Sequence, residues 1–141
     1  MEANNLVTQK LYGRLPIGHG MALYKFRKMS KVQRLLHQLK YKGRPVIGQV
    51  LGKIYGTILK EANLDVHFDL IVPVPLHASK LQQRGYNQSD TFAQGLSEAM
   101  AIPWSDQELI RTRDTATQTQ KGRLDRLASV ENAFQLSSNH K

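Results

Sequence analysis

The 141-residue chain has no cysteine, which excludes disulfides, a thiolate zinc site and a cysteine nucleophile. It also lacks an apolar run long enough to span a bilayer. The best stretch, Pro45 to Leu59, is too short and carries Lys53. The N-terminal MEANNLVTQK has neither the basic start nor the apolar centre of a signal peptide, so the cytoplasm is the expected compartment. Acid is scarce in one half of the chain. Residues 1–60 hold 12 Lys and Arg against a single acid, Glu2, whereas residues 61–141 hold 8 against 10. The net charge of +9 is therefore concentrated in the first half. That suggests a polyanionic partner or an anionic substrate, with a solvated basic face as the plain alternative. What is present, 40% hydrophobic and 22% charged residues, suits one domain with a modest core.

Gly13, Pro16, Gly18 and Gly20 break any period in residues 1–20, which reads as an irregular lead-in. MALYKF (21–26) is a short strand candidate. SKVQRLLHQLKYKG predicts a helix, with Ser30 as its cap, Val32, Leu35, Leu36 and Leu39 facing inward and Gly43 as its end. RPVIGQVLGKIYGTILKEAN predicts a second helix, with Pro45 near its first turn and an apolar face of Ile47, Val50, Leu51, Ile54 and Ile58. Gly48, Gly52 and Gly56 recur every fourth residue, a stripe that lets another backbone pack closely at a cost in helix propensity. FDLIVPVP (68–75) is nearly all apolar, as expected of a central strand buried on both faces in a parallel sheet. A helix follows from Asn87, with Phe92, Leu96 and Met100 along one side. QELIRTR and NAFQLSS read as later strands. The alternation of strands and helices predicts an α/β fold.

Ligands of open α/β sheets gather beyond the carboxyl ends of strands. Pro73 and Pro75 mark such an end, because proline cannot donate to a ladder. The following loop carries His77, Lys80 and Arg84 and delivers Gly85, Tyr86 and Asn87 to a helix start, where Asn87 can cap and Asp90 follows three residues later. Free N–H groups, the helix dipole and a planar guanidinium together describe a pocket for phosphate or pyrophosphate. The alternative is a stiff surface loop whose Arg84 pairs with an acid. His77 has no second ligand at metal-site spacing, so no protein metal site is expected. The polar stretch RTRDTATQTQKGRLDR (111–126) reads either as a closing loop or as a disordered connector. Residues about 113–122 are expected to be mobile without ligand.

The stretches LLHQLKYKGR (35–44), IVPVPLHASKLQQRGYNQ (71–88), RTRDTATQTQ (111–120) and NAFQL (132–136) resemble the ComF (competence protein F) family of type I phosphoribosyltransferase-fold proteins. The resemblance covers roughly residues 20–136 and rests on several motifs in order. It implies an incomplete phosphoribosyltransferase-like parallel-sheet core with an N-terminal helical part. Residues 1–20 would be the lead-in and 21–141 the partial domain, with core strands and helix within 65–141. By that resemblance Pro73, Pro75, Arg84, Gly85, Asn87 and Gln88 match a pyrophosphate loop. Arg111, Arg113, Thr115 and Gln118 match a flexible catalytic loop, with Arg126 and Asn132 at later family positions. The implied ligand is phosphoribosyl pyrophosphate or another phosphate-bearing small molecule, with magnesium bridging its phosphates. The implied process is uptake of single-stranded DNA in natural transformation, alongside a helicase-like partner.

The sequence departs from that pattern in two respects. Many relatives begin with a cysteine-rich zinc module, absent here. They also continue into a strand ending in paired acids and a Thr-Thr-Gly turn that cradles the ribose 5′-phosphate, and nothing in this sequence matches it. A truncated fragment or natural short form is therefore expected. The rival reading is a non-catalytic adaptor or single-stranded DNA-binding module. Its working surface would be residues 25–44, which hold eight Lys and Arg and no acid, with Lys31 and Arg34 as candidate nucleic-acid contacts. Tyr41 would add a stacking surface if exposed. A third reading is a sensor of phosphoribosyl pyrophosphate.

Overall fold

The computed structural model describes residues 7–8, 20–25, 27–113 and 133–138. The chain divides into two compact units, Met1–Leu36 and His37–Lys141. In the first, the buried Thr8 hydroxyl donates to the Gly20 carbonyl at 3.1 Å and accepts the Gly20 N–H at 3.0 Å. Residues 21–25 are irregular, and the strand expected at 21–26 does not form there. A short alternating segment gains ladder hydrogen bonds only where a partner strand lies beside it, and none does among the described residues.

Helix α1 (Lys31–Tyr41) begins as its sequence predicts. Ser30 Oγ accepts the Gln33 N–H at 3.2 Å, and the Gln33 side chain reaches back to accept the Met29 N–H. Of its expected inward residues only Leu39 is buried, and Leu35 is exposed. The helix stops at Tyr41, and Gly43 then takes φ +60°, a conformation that glycine adopts without strain.

Helix α2 (Val46–Glu61) follows Pro45, whose φ of −62° is preset for a helical turn. Its buried face is not the one its large apolar residues mark. Gly48, Gly52, Tyr55, Gly56 and Leu59 are buried. Val50, Ile54 and Ile58 are left 49%, 44% and 39% exposed. At 3.6 residues per turn the row 50–54–58 lies about 200° around the helix from the row 48–52–56. Only one of these rows can face a given neighbour. The glycine row wins because it admits helix α4 (Gln88–Met100) to backbone contact. A Cβ on Gly52 would stand 2.9 Å from the Leu96 nitrogen and nearer still to the Phe92 carbonyl oxygen. A Cβ on Gly95 of α4 would stand 2.8 Å from the Lys53 nitrogen, and one on Gly56 would stand 2.7 Å from the Ala99 Cβ. Gln49 Nε2 donates to Gln94 Oε1 at 2.9 Å beside this contact, and Tyr55 and Phe92 place their rings 6.3 Å apart.

A 3-10 turn (Asp65–His67) leads into the extended run Phe68–Pro75. Here the structure corrects the sequence reading. The run is not a central strand. Ile71 makes a single parallel bridge to Trp104: its N–H donates to the Pro103 carbonyl at 2.9 Å and its carbonyl accepts the Ser105 N–H at 3.1 Å. Leu70, Val72 and Val74 are 41%, 41% and 56% exposed. An apolar run is buried on both faces only when strands flank it and layers cover it. Among the described residues it has one flank, and Pro73 and Pro75 offer no N–H to extend the pairing.

Two expected strands do form: β1 (Leu109–Arg111) and β2 (Phe134–Leu136) pair antiparallel, Leu109 opposite Leu136 and Arg111 opposite Phe134. The fold is thus α/β in the coarse sense of helices with a small two-stranded sheet. Among the described residues there is no parallel sheet and no phosphoribosyltransferase core. The polar stretch expected to be mobile, about 113–122, lies almost wholly outside the described residues. No described helix is long and apolar enough to cross a membrane.

Replacing Gly52 or Gly95 with alanine should lower stability by about 1–3 kcal/mol through overpacking, although alanine is the better helix former. Gly43→Ala should cost about 1 kcal/mol for its left-handed backbone alone, since nothing lies within 4 Å of a Cβ there. Urea denaturation of the three variants checks this. A Gly52→Ala chain more stable than the parent would mean that α2 and α4 do not touch.

Candidate functional site

The turn between residues 84 and 88 is built by its neighbours on both sides. Before it lies a helix that the sequence reading took as loop, α3 (Ala78–Arg84). Lys, Leu, Gln and Arg are good helix formers, and His77 caps the segment, its Nδ1 lying 3.4 Å from the Ser79 nitrogen and 2.9 Å from the Ser79 hydroxyl. Gly85 ends it at φ +81°, its N–H donating to the Leu81 carbonyl at 2.7 Å. That left-handed residue turns the chain straight into α4.

Asn87 then caps α4, as its sequence predicts, and does more. Its Oδ1 accepts the Ser89 N–H at 3.1 Å, while its two Nδ2 hydrogens go to the Val74 carbonyl at 3.1 Å and to Asp90 Oδ1. The residue is 6% exposed, and both of its amide hydrogens and its carbonyl oxygen are engaged. One side chain thereby ties the Pro73–Pro75 exit to the start of α4. Pro73 is buried and Pro75 half-buried beside it.

Two aromatic contacts hold the turn to the end of α1. The Tyr86 hydroxyl donates to the Leu39 carbonyl, one of the last four carbonyls of α1 that have no partner within the helix. The Arg84 guanidinium sits 5.8 Å from the centre of the Tyr41 ring, and its Nη1 donates to Gln88 Oε1. Tyr41 was expected only as a stacking surface if exposed, and no contact of either tyrosine with this turn was expected. The Arg-Gly-Tyr-Asn spacing and the exposed position of Tyr41 after a basic helix were the available signals.

The chemistry of this turn favours an anion. Among the described residues, the backbone N–H groups of Tyr86, Asn87 and Gln88 have no acceptor. Three consecutive amides at a helix N-terminus, beside a guanidinium, are a donor set of the kind that takes the oxygens of an anion. Nearby, the Asp90 carboxyl is pushed above the usual carboxylate range, chiefly by burial, with the negative charge of Asp106 adding to it and the Asn87 hydrogen bond opposing it. Among the described residues no group of three or more His, Asp or Glu could hold a metal ion.

Arg84, Gly85, Asn87 and Gln88 are therefore brought together, with Pro73 and Pro75 joined to them through Asn87. Arg111 and Arg113 lie on and just beyond the β1–β2 ribbon. There the Arg111 guanidinium is 5.4 Å from the Phe134 ring and Arg111 Nε donates to the Arg113 carbonyl at 3.3 Å. Gln118 lies outside the described residues, as do Thr115, Arg126 and Asn132. Lys31 and Arg34 are exposed on α1.

Comparison with known proteins finds relatives by sequence. The chain is 35% identical to DNA utilization protein YhgH of Escherichia coli K12 over 105 residues, which is 72% of this chain and 46% of that protein. It is 34% identical to DNA utilization protein YhgH of Salmonella typhi over the same length. It is 30% identical to competence protein F of Haemophilus influenzae over 106 residues, 73% of this chain and 46% of that protein. The chain thus spans about half the length of these relatives. No protein-family model matches it, and no solved structure does.

Asn87→Ala should destabilise the chain by about 2 kcal/mol, because it removes a cap and strips the Val74 carbonyl of its donor. Asn87→Asp, which keeps the cap but not the amide donors, should fall between parent and alanine on denaturation. Asp90 gives a pH dependence of opposite sign to a salt-bridged acid. Its folded pKa is raised, so the folded state binds its proton more tightly than the unfolded state does. That contribution is present at acid pH and lost as pH rises through the folded value. Asp90→Asn should flatten this part of the stability–pH curve, and an unchanged slope would contradict the assignment.

Proposed function

This chain is a ComF-family relative, and we propose that it supplies the pyrophosphate-binding part of a phosphoribosyltransferase-fold protein that binds phosphoribosyl pyrophosphate and serves DNA utilisation. The observation that carries the reading is the turn at 84–88: a guanidinium, a glycine that clears the approach and three free amides, all fixed by Asn87 to the Pro73–Pro75 exit. The names of the relatives, DNA utilization protein and competence protein F, support the process.

In this reading the amides of 86–88 take phosphate oxygens, and Arg84 leaves Gln88 to pair with them in a planar, two-point contact. Gly85 allows the ligand to lie against the backbone, which any side chain there would obstruct. In the whole protein Arg111 and Arg113 would stabilise charge on the departing pyrophosphate, and by the family resemblance Gln118 would share that role. Magnesium would arrive with the ligand's phosphates and screen their charge. The parallel-sheet core of that fold belongs to the proposal for the whole protein.

A second reading has its own observation. Lys40, Lys42 and Arg44 are exposed in the second unit, with no acid among them, and Lys31 and Arg34 are exposed in the first. A surface of this kind suits a phosphate backbone, so a non-catalytic single-stranded DNA-binding role, beside a helicase-like partner, is the alternative.

Calorimetric titration with phosphoribosyl pyrophosphate and magnesium separates the two. Arg84→Ala should weaken binding by tenfold or more, about 1.4 kcal/mol, while the fold persists because Arg84 is only half-buried. Unchanged affinity in that variant would refute the pocket. The 141-residue chain alone should show no phosphoribosyl transfer, since its sequence has no paired-acid and Thr-Thr-Gly turn to hold the ribose phosphate.

A further inference from the structure

At the end of α1 an aromatic surface stands among cations. Tyr41 is 64% exposed. His37, one turn earlier, is exposed and places its ring 5.0 Å from that of Tyr41 at 46°. Lys40, Lys42 and Arg44 are exposed around them. A core role does not explain a ring left this open, and the hydrophobic effect gives no reason to keep it at the surface. The Arg84 guanidinium lies 5.8 Å from the ring centre, which holds the tyrosine and polarises it. The same guanidinium donates to Gln88, the first residue of α4. One arginine therefore joins the aromatic surface to the free amides of 86–88.

We infer that Tyr41, held by Arg84 and flanked by Lys40, Lys42 and Arg44, is a stacking platform for an unpaired base of a single-stranded nucleic acid, whose adjoining phosphate is taken by the amides of residues 86–88. The inference rests on the single-strand-binding reading above and gives it a site. A duplex offers no free base face to such a ring, whereas every unpaired base has one, so the platform discriminates strandedness and not sequence. The lysines neutralise neighbouring phosphates and set the salt dependence. Arg84 makes the platform and the phosphate pocket compete for one side chain. A small pyrophosphate ligand that draws Arg84 away from Tyr41 should therefore weaken the strand's hold.

The test is fluorescence anisotropy of the full 141-residue chain with a labelled oligothymidylate of about 20 nucleotides, at several salt concentrations, beside a duplex of equal length. Tyr41→Ala should weaken single-strand binding roughly 5- to 100-fold, the loss of one stacked base, and leave duplex binding unchanged. Tyr41→Phe should bind as the parent does, and Tyr41→Trp at least as tightly, with its indole fluorescence quenched on binding. The Trp variant also decides the matter if the alanine variant melts early. Lys40→Ala and Lys42→Ala should each lower the salt slope by roughly 0.7 while keeping the quench in the Trp background. If Tyr41→Ala matches the parent at every salt concentration, or Tyr41→Phe falls as far as Tyr41→Ala, there is no stacking platform, and the single-strand reading stands without it. If the parent itself fails to bind the oligonucleotide at low salt, the single-strand reading and the platform both fall.

Discussion

Everything that can be said of the site depends on two helices touching through glycine. At Gly52 and Gly95, α2 and α4 meet main chain against main chain, with Gln49 and Gln94 and the rings of Tyr55 and Phe92 meeting beside that contact. Each interior glycine weakens its helix by about 1 kcal/mol relative to alanine. Dispersion between two close backbones and the burial of Tyr55, Leu59, Ala93 and Met100 offset that loss. The consequence is positional. Backbone contact leaves little freedom for one helix to slide or roll on the other, so the N-terminus of α4 is fixed.

The turn at 84–88 inherits that rigidity. Asn87 binds the α4 start to the Val74 carbonyl, Tyr86 binds it to the Leu39 carbonyl, and Arg84 rests against Tyr41. The amides of 86–88 are held by these ties, and such pre-organisation favours an anion over water, whose dipoles would have to be ordered anew. Asp90 fits this picture. An unshielded carboxylate one turn inside the helix would oppose an anion. Its burial, its contact with Asn87 and the charge of Asp106 all bear on that carboxyl, and the balance moves it toward its neutral form.

The local grammar of the chain was open to a reader of the sequence. Ser30 and Asn87 cap helices because short polar side chains there reach the N–H groups of the first turn, and that requirement is written in one residue. The glycine stripe was legible as a close approach. The helix surface it implied was not, because Ile47, Val50, Leu51, Ile54 and Ile58 also form a consistent face, and only the presence of α4 decides between them. The run 68–75 failed for a related reason. An apolar sequence states what a segment tolerates, while its burial is set by what lies alongside, and here a single bridge to Trp104 does. In the turn at 84–88, Asn87 was legible as a cap because a helix start has a local signature. Tyr41 was singled out only as a stacking surface if exposed, and its contact with Arg84 and that of Tyr86 with Leu39 were not legible, because they run across 43 and 47 positions of chain.

We propose that a phosphate-bearing ligand is held by the main chain at the start of α4. An NMR titration of the isotope-labelled chain with inorganic pyrophosphate tests it most directly, because each backbone amide reports for itself. The amide signals of Gly85 through Ser89 should move first and furthest, the Arg84 side-chain signal should move with them, and the centres of α2 and α4 should stay still. Shifts confined to residues 25–44 or to the β1–β2 ribbon, with 85–89 unmoved at saturation, would contradict it.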